Sequence, residues 1–144
     1  MSTKGRYGLR LMVELAGHYG QGPMHADEIA RNQDISRQYI HVLAMGLRAA
    51  GLVRTVRGQN GGYDLSRHAS AISALDVVSA LEGTTAPVRC VVDPSSCKRA
   101  RTCVTRDVWC DVASAIDQVL SGLTIETLSA RQRKRQDGSP DFCI

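Results

Sequence analysis

Residues 33–66 read QDISRQYIHVLAMGLRAAGLVRTVRGQNGGYDLS, and the fold turns on this run. Gln33-Asp34-Ile35-Ser36 has the composition of a tight turn. Ser36 is a good helix N-cap, because its hydroxyl can accept a hydrogen bond from a free N–H of the first turn. From Arg37 to Ala50 the apolar residues Ile40, Leu43, Ala44 and Leu47 recur at helical spacing. Gly51 stops the helix, and Leu52 is the apolar residue that often follows such a stop. Leu52 to Arg57 is β-branched and extended, and Gly58-Gln59-Asn60-Gly61-Gly62 is a turn. Asn60-Gly61 is the strongest hairpin signal in the chain, and Tyr63 to Ser66 pairs back.

Toward the N-terminus, Leu11, Met12, Leu15, Ala16 and Tyr19 mark an amphipathic helix within residues 4–20, ended by Gly20, Gly22 and Pro23. A short helix follows from Ala26 to Asn32, with Ile29 and Ala30 inward. Asp27 and Glu28 sit in its first turn, where negative charge is favoured. Two helices joined by a short turn make a helix-turn-helix, and the hairpin behind them is the wing of a winged helix. The expected fold class is mainly α with a small β-hairpin: a winged helix-turn-helix plus a long C-terminal dimerisation helix.

Toward the C-terminus, Ser73-Ala74-Leu75-Asp76 reads as a capping box with Asp in place of Glu. It opens a helix through Leu81 that Gly83 ends. Residues 84–102 have no period, two prolines and two cysteines, so they read as a functional loop. A long helix is expected from Cys103 to Ser121. Val108, Val112, Ile116, Val119 and Leu123 form its apolar stripe, widened by Trp109, Ala113 and Leu120. A helix this apolar beyond a finished domain calls for a partner, most simply its symmetry mate. Thr124 caps a last short helix, Ile125 to Arg131, and Gln132 to Ile144 reads as a disordered tail. The expected organisation is a DNA-binding domain at 1–83, a cysteine-bearing loop at 84–102, dimerisation and C-terminal helices at 103–131, and a tail at 132–144.

The 144 residues suit one domain with an appendage, and the 43% apolar content suffices for a core. Aromatics are only 4%, which favours helices over a β-sandwich. No apolar run approaches a membrane span, and Glu14 interrupts the one apolar stretch near the start, so neither a signal peptide nor a membrane partner is expected. The expected location is cytoplasmic. The net charge is +4, unevenly spread. Ile35 to Tyr63 holds no Asp or Glu but carries Arg37, Arg48, Arg54 and Arg57, a composition suited to facing phosphates. In a helix-turn-helix the second helix enters the major groove, N-terminal residues first. Ser36, Arg37, Gln38, Tyr39 and His41 are therefore the expected contacts. Arg can grip guanine and Gln adenine through two bonds each; Ser36 and Tyr39 suit phosphates. Arg54 and Arg57 flank the wing, while Gly61 and Gly62 at its tip permit close backbone approach. The expected partner is double-stranded DNA with a palindromic operator, bound by a homodimer. The four histidines have no nucleophile partner at useful spacing, so no enzyme is expected.

Of five cysteines, Cys90, Cys97, Cys103 and Cys110 lie within 21 residues. Without a secretory signal, clustered cysteines point to metal or redox chemistry and not to a disulfide framework. The spacing Cys90-x6-Cys97-x5-Cys103 is wider than the usual zinc pairs. A loop delivering two thiolates and a helix end a third suits a bulkier iron–sulfur cluster, 2Fe–2S in the first place and 4Fe–4S in the second. Asp107 and Cys110 fall on the face of Cys103 and are candidates for a fourth ligand, beside a residue of the other subunit or an exogenous thiol. Cys110 lies about 10 Å along the axis at 1.5 Å per residue and reads first as a small hydrophobe beside Trp109. Cys143 is expected to be inert.

Thr3-Lys4-Gly5-Arg6-Tyr7, the run GLVRTVRGQNGGY at 51–63, and the segments Arg89 to Cys97 and Cys103 to Trp109 together resemble a known family. It is that of the bacterial winged-helix iron–sulfur regulators of the IscR, NsrR and CymR type, matched over residues 3–130, with the cysteine loop most similar to the IscR type. The resemblance implies a homodimer with crossed long helices and a cluster held by Cys90, Cys97 and Cys103, supplied by cluster-assembly proteins. Two departures leave the fourth ligand open. IscR-type members commonly place His three residues after the third cysteine, where this chain has Arg106. NsrR-type members use an acid from the partner's N-terminal helix, where this chain reads Arg6-Tyr7-Gly8. At His41 the enteric IscR type carries an acid, so operator preference does not transfer. The implied function is a transcriptional repressor that senses cluster or redox status and controls iron–sulfur assembly or related stress genes. The alternative is a cluster-free, thiol- or partner-responsive repressor of cysteine and sulfur metabolism.

Overall fold

The computed structural model describes residues 2–138. Helix α1 spans Thr3–Gly17, and Ser2 caps it through the N–H of Lys4 at 3.0 Å. Its buried residues Gly5, Gly8, Leu11, Met12 and Leu15 form one helical stripe. Tyr19, expected on that stripe, lies beyond the helix end and is exposed. Helix α2 spans Ala26–Gln33 and closes on Asp34, whose left-handed φ of 52° is the one positive value among the described non-glycine residues. Helix α3 spans Arg37–Ala49. Ser36 caps it by accepting from the N–H of Tyr39 at 3.2 Å, and Ile40, Leu43, Ala44 and Leu47 are buried as the periodicity requires.

Strands β1 (Val53–Val56) and β2 (Gly62–Leu65) pair antiparallel, Val53 against Leu65 through Val56 against Gly62. The hairpin forms where expected, but its turn differs. The N–H of Gly61 reaches the carbonyl of Gly58 at 3.0 Å, so Gln59-Asn60 is the central pair and not Asn60-Gly61. Gly58 absorbs the unusual backbone conformation, at φ 114°.

Helix α4 (Ala74–Glu82) starts with the full capping box: Ser73 accepts from the N–H of Asp76 at 3.0 Å, and Asp76 from that of Ser73 at 2.8 Å. It packs across α1 and α3. At that crossing Leu81 fills the space left by two glycines: a Cβ on Gly8 would stand 2.1 Å from Leu81 Cδ1, and one on Gly46 2.9 Å from Leu81 Cδ2. Beyond α4 the chain is more ordered than a loop. A short helix α5 (Arg89–Val92) and a 3-10 turn (Pro94–Ser96) occupy it, the latter held by the Asp93 carboxylate accepting from the N–H of Ser95 at 3.0 Å. Helix α6 spans Val104–Ser121, with Cys103 as its cap residue. The expected stripe divides: Ala113 is buried and Ile116, Leu120 and Leu123 are half-buried, while Val108, Trp109, Val112 and Val119 are exposed, as is Val104 at the helix start.

Helix α7 spans Ile125–Gln136, five residues longer than expected, and lies back along α1. The expected disorder from residue 132 is corrected for 132–136, where Arg133, Lys134 and Arg135 complement the negative helix end. Residues 139–144, including Cys143, lie outside the described residues. Two backbone bonds stitch α7 to the start of α4, from Ala74 N–H to the Leu123 carbonyl at 2.8 Å and from Ile125 N–H to the Ile72 carbonyl at 2.9 Å. The short C-terminal helix thus packs with the winged helix. Among the described residues no helix is long and apolar enough to cross a membrane.

Two expectations follow. Gly8→Ala gains about 0.5–1 kcal/mol of helix propensity but overpacks Leu81 at a cost of about 1–3 kcal/mol, so thermal melting falls. In the Gly8→Ala background, Leu81→Ala costs less than in the wild type by at least about 0.5 kcal/mol; strictly additive losses would sink the wedge. The second concerns acid. Burial alone would push the Glu82 carboxyl up, but it accepts from the Ser2 hydroxyl and N–H and from the Gly5 N–H, and these bonds hold it below the usual range. That stabilisation is present above the unfolded value of about 4.3 and lost as pH falls through the folded one. Denaturant titrations from pH 6 down to 3 should show a shallower stability loss in Glu82→Gln.

Candidate functional site

One side of α3 is buried in the core. The other presents Arg37, Gln38, His41, Val42, Met45 and Arg48 to solvent. Val42 and Met45 are 41% and 62% exposed. Sequence periodicity missed these two as functional residues; their signal was an apolar character away from the core stripe. Apolar atoms at such positions can meet a thymine methyl group in the major groove. Of the expected contacts, Arg37, Gln38 and His41 are brought together on this face. Ser36 spends its hydroxyl on the cap. Tyr39 turns inward, half-buried, with its ring edge-on to Tyr7 at 5.9 Å. The guanidinium carbons of Arg6 and Arg10 each stand 5.1 Å from the Tyr7 ring centre. The Tyr39 ring thus contributes to packing against Tyr7.

The wing stands against α3. His41 Nδ1 lies 2.6 Å from the Tyr63 hydroxyl on β2, and Arg37 Nε donates to His41 Nε2 at 3.4 Å. Burial pushes the Tyr63 hydroxyl above its usual range, and the positive charges of Arg48 and Arg37 work against that. Two of the window's four arginines have carboxylate partners from outside it. Arg37 meets Asp27 at 3.4 Å, and Arg54 meets Asp64 across the hairpin at 2.6 Å, which holds the Arg54 guanidinium above its usual value. Among the described residues Arg48 and Arg57 have no such partner. Gly61 and Gly62 do not form the exposed tip. A Cβ on Gly61 would stand 2.3 Å from the Val56 carbonyl oxygen, and one on Gly62 2.1 Å from that of Met24. The close approach that these glycines permit is to the protein's own backbone, and the exposed tip is Arg57, Gly58, Gln59 and Asn60.

Cys90, Cys97, Cys103 and Cys110 are free and half-buried. Cys97 and Cys103 line one open cleft together with Lys98, Arg101, Arg106 and Asp107. Cys90 sits outside it on α5, beside the start of α6, where Arg106 Nε donates to the Cys90 carbonyl at 3.0 Å. Cys110 does not line the cleft. Among the described residues no three His, Cys, Asp or Glu side chains gather as a metal site. The donor chemistry nevertheless suits an iron–sulfur cluster: three unbridged thiols beside cationic side chains that favour thiolates and offset a cluster's negative charge. The Cys103 thiol is held below its usual range, first by the Thr105 hydroxyl at 3.1 Å and then by the N–H of Arg106, with Asp107 opposing.

A family model described as Rrf2, iron-dependent transcriptional regulator, matches residues 1–131. The HTH-type transcriptional regulator CymR of Bacillus subtilis (strain 168) is 39% identical over 130 residues, which cover 90% of this chain and 89% of that protein. The solved structure of CymR (YrzC), the global cysteine regulator of B. subtilis, superposes with a TM-score of 0.76 over 91% of this chain and 96% of that one. IscR of T. potens, 33% identical, gives 0.77 over 98% and 93%. The helical chain with its two-stranded hairpin matches these winged-helix regulators, which are DNA-binding proteins and not enzymes. The chain belongs to the Rrf2 family of transcriptional regulators.

Proposed function

We propose that this regulator is a cytoplasmic homodimeric repressor that inserts one α3 per protomer into a palindromic operator. Its DNA affinity would answer to an iron–sulfur cluster on Cys90, Cys97 and Cys103, and its targets would be genes of cluster assembly or related stress. The observation that carries the DNA reading is the exposed face of α3, where Arg37, Gln38 and His41 stand with Val42 and Met45 beside the wing. Arg57 at the wing tip supplies a phosphate contact, and Arg48 a second cation on the same side. The dimer reading rests on α6. Val104, Val108, Val112 and Val119 share one face and are 77%, 57%, 36% and 63% exposed. A second copy of this face is the occupant that a two-fold operator calls for.

A bound cluster, 2Fe–2S in the first place and 4Fe–4S in the second, would supply a charge that depends on oxidation and on cluster supply, with assembly proteins as donors. Cys97 and Cys103 would hold it in the cleft that Lys98, Arg101 and Arg106 make cationic, and Cys90 would join from α5. Asp107 lines that cleft, which favours it over Cys110 as fourth ligand. Cluster binding would order the segment between α4 and α6 and so adjust the spacing of the two recognition helices.

A second reading is supported by the free, ungathered thiols and by the favoured Cys103 thiolate. In it the same segment serves a cluster-free repressor of cysteine and sulfur metabolism that responds to thiol oxidation or to a partner protein. Iron quantification with an absorption spectrum on anaerobically purified protein separates the two. The cluster reading expects visible absorption that Cys90→Ala, Cys97→Ala and Cys103→Ala each abolish; full iron content in all three variants would reject it.

On DNA, Arg37→Ala or Gln38→Ala should lose about 1–3 kcal/mol on the operator and relax its sequence preference, whereas Arg57→Ala should weaken all sequences alike and lower the salt slope by about one. Binding titrations on operator and random duplexes at two salt concentrations distinguish these outcomes. Equal losses on both duplexes for Arg37→Ala would remove it from the base-reading set. Val108→Glu should convert the dimer to a monomer in analytical ultracentrifugation and weaken operator binding; an unchanged dimer would exclude this face of α6.

A further inference from the structure

We propose that Tyr63, a wing residue, is a positioning residue for base reading: its hydroxyl holds the His41 ring in one orientation and thereby sets what α3 presents to the DNA bases. The proposal rests on the reading that α3 faces base edges.

The chemistry of the three groups fixes the directions. A guanidinium can only donate, so His41 Nε2 accepts from Arg37 Nε. A neutral imidazole then carries its proton on Nδ1, 2.6 Å from the Tyr63 oxygen, and donates to it. The phenol's own proton is left to donate elsewhere. A histidine on an exposed helix face could otherwise turn its ring and offer either nitrogen as donor or acceptor. With both nitrogens engaged inside the protein, the ring keeps one orientation, presents its C–H edge to the groove and holds Arg37 through Nε, so that the guanidinium beside it points one way.

The anchor is rigid. Tyr63 exchanges two backbone hydrogen bonds with Met24, each 2.9 Å, on one edge of β2 and pairs with Thr55 of β1 on the other. Its ring meets that of His41 edge-on at 5.9 Å. The charges around the relay are Arg37 and Arg48 on α3 and Asp27 on α2, which draws Arg37 toward the turn. The wing therefore reaches the bases indirectly, through a bond to a residue 22 positions earlier in the chain.

The test is the base preference of variants, measured by selection from a random duplex pool and by titration of the selected duplexes. Tyr63→Phe keeps the ring, and its melting temperature checks that the fold is intact. Losing one hydrogen bond, a net effect of about 0.5–1.5 kcal/mol, should cut the preferred-to-random binding ratio by about 2-fold to 13-fold. The preference should fall at the base pairs where His41→Ala also loses it and persist elsewhere, and Tyr63→Phe should add nothing in the His41→Ala background. A uniform loss on all sequences, a change at other base pairs, or additive losses in the double variant would overturn the proposal, as would an unchanged profile. If Tyr63→Phe alone leaves the profile unchanged, only the positioning role falls. If His41→Ala and Arg37→Ala leave it unchanged as well, the α3 reading falls with it.

Discussion

The structure hangs on the fit of Leu81 between two glycines. Gly8 and Gly46 remove the side chains that would separate α1, α3 and α4 at their crossing, and Leu81 fills the gap from both sides. Close approach of three helices lets so small a domain bury Leu11, Met12, Ile40, Leu43, Leu47 and Val77 in one core. It also brings the next residue, Glu82, to the free N–H groups at the start of α1. Close helix packing and the cap of α1 thus sit side by side at the end of α4.

That core fixes one side of α3 and leaves the other free to carry chemistry. The exposed side is not a loose array of cations. Asp27 draws Arg37, Asp64 neutralises Arg54, and the wing's Tyr63 holds His41. Two independent local elements, a helix-turn-helix and a hairpin, become one continuous surface because Met24 pairs with Tyr63 and draws the wing back onto the chain before α2. The glycines of the wing serve this closure; Gly62 passes where a Cβ would collide with Met24.

Between α4 and α6 the packing is thinner. No residue of α5 is buried, and only Ala113 of α6 is. Arg106 ties the Cys90 carbonyl to the first turn of α6 while Cys97 and Cys103 look into a cationic cleft. A segment held by few contacts responds readily to what its thiols bind or become, because local opening costs least where least apolar surface is buried. It adjoins the exposed valine face of α6.

Much of this was legible in the sequence because it is local. Ser36, Ser73 with Asp76, and Thr124 announce their helices, since capping bonds span only a few residues. The 3.6-residue period of α3 named its buried stripe correctly. Some errors were local, as at the hairpin turn, which closes on Gln59-Asn60; the others were long-range. Nothing near Tyr39 says that Tyr7 will turn its ring inward. Nothing near Gly62 says that the Met24 backbone will lie against it, and nothing near Arg54 or Arg37 says which carboxylates will reach them. The C-terminal helix outran its expected end because it packs along α1, a neighbour more than a hundred residues away. The sequence by itself determined the elements, their caps and which face of each is apolar, because those follow from neighbours along the chain. Only the tertiary structure decided which polar side chains stay exposed and unpaired and which serve the protein itself, because that depends on groups the chain brings together from far apart.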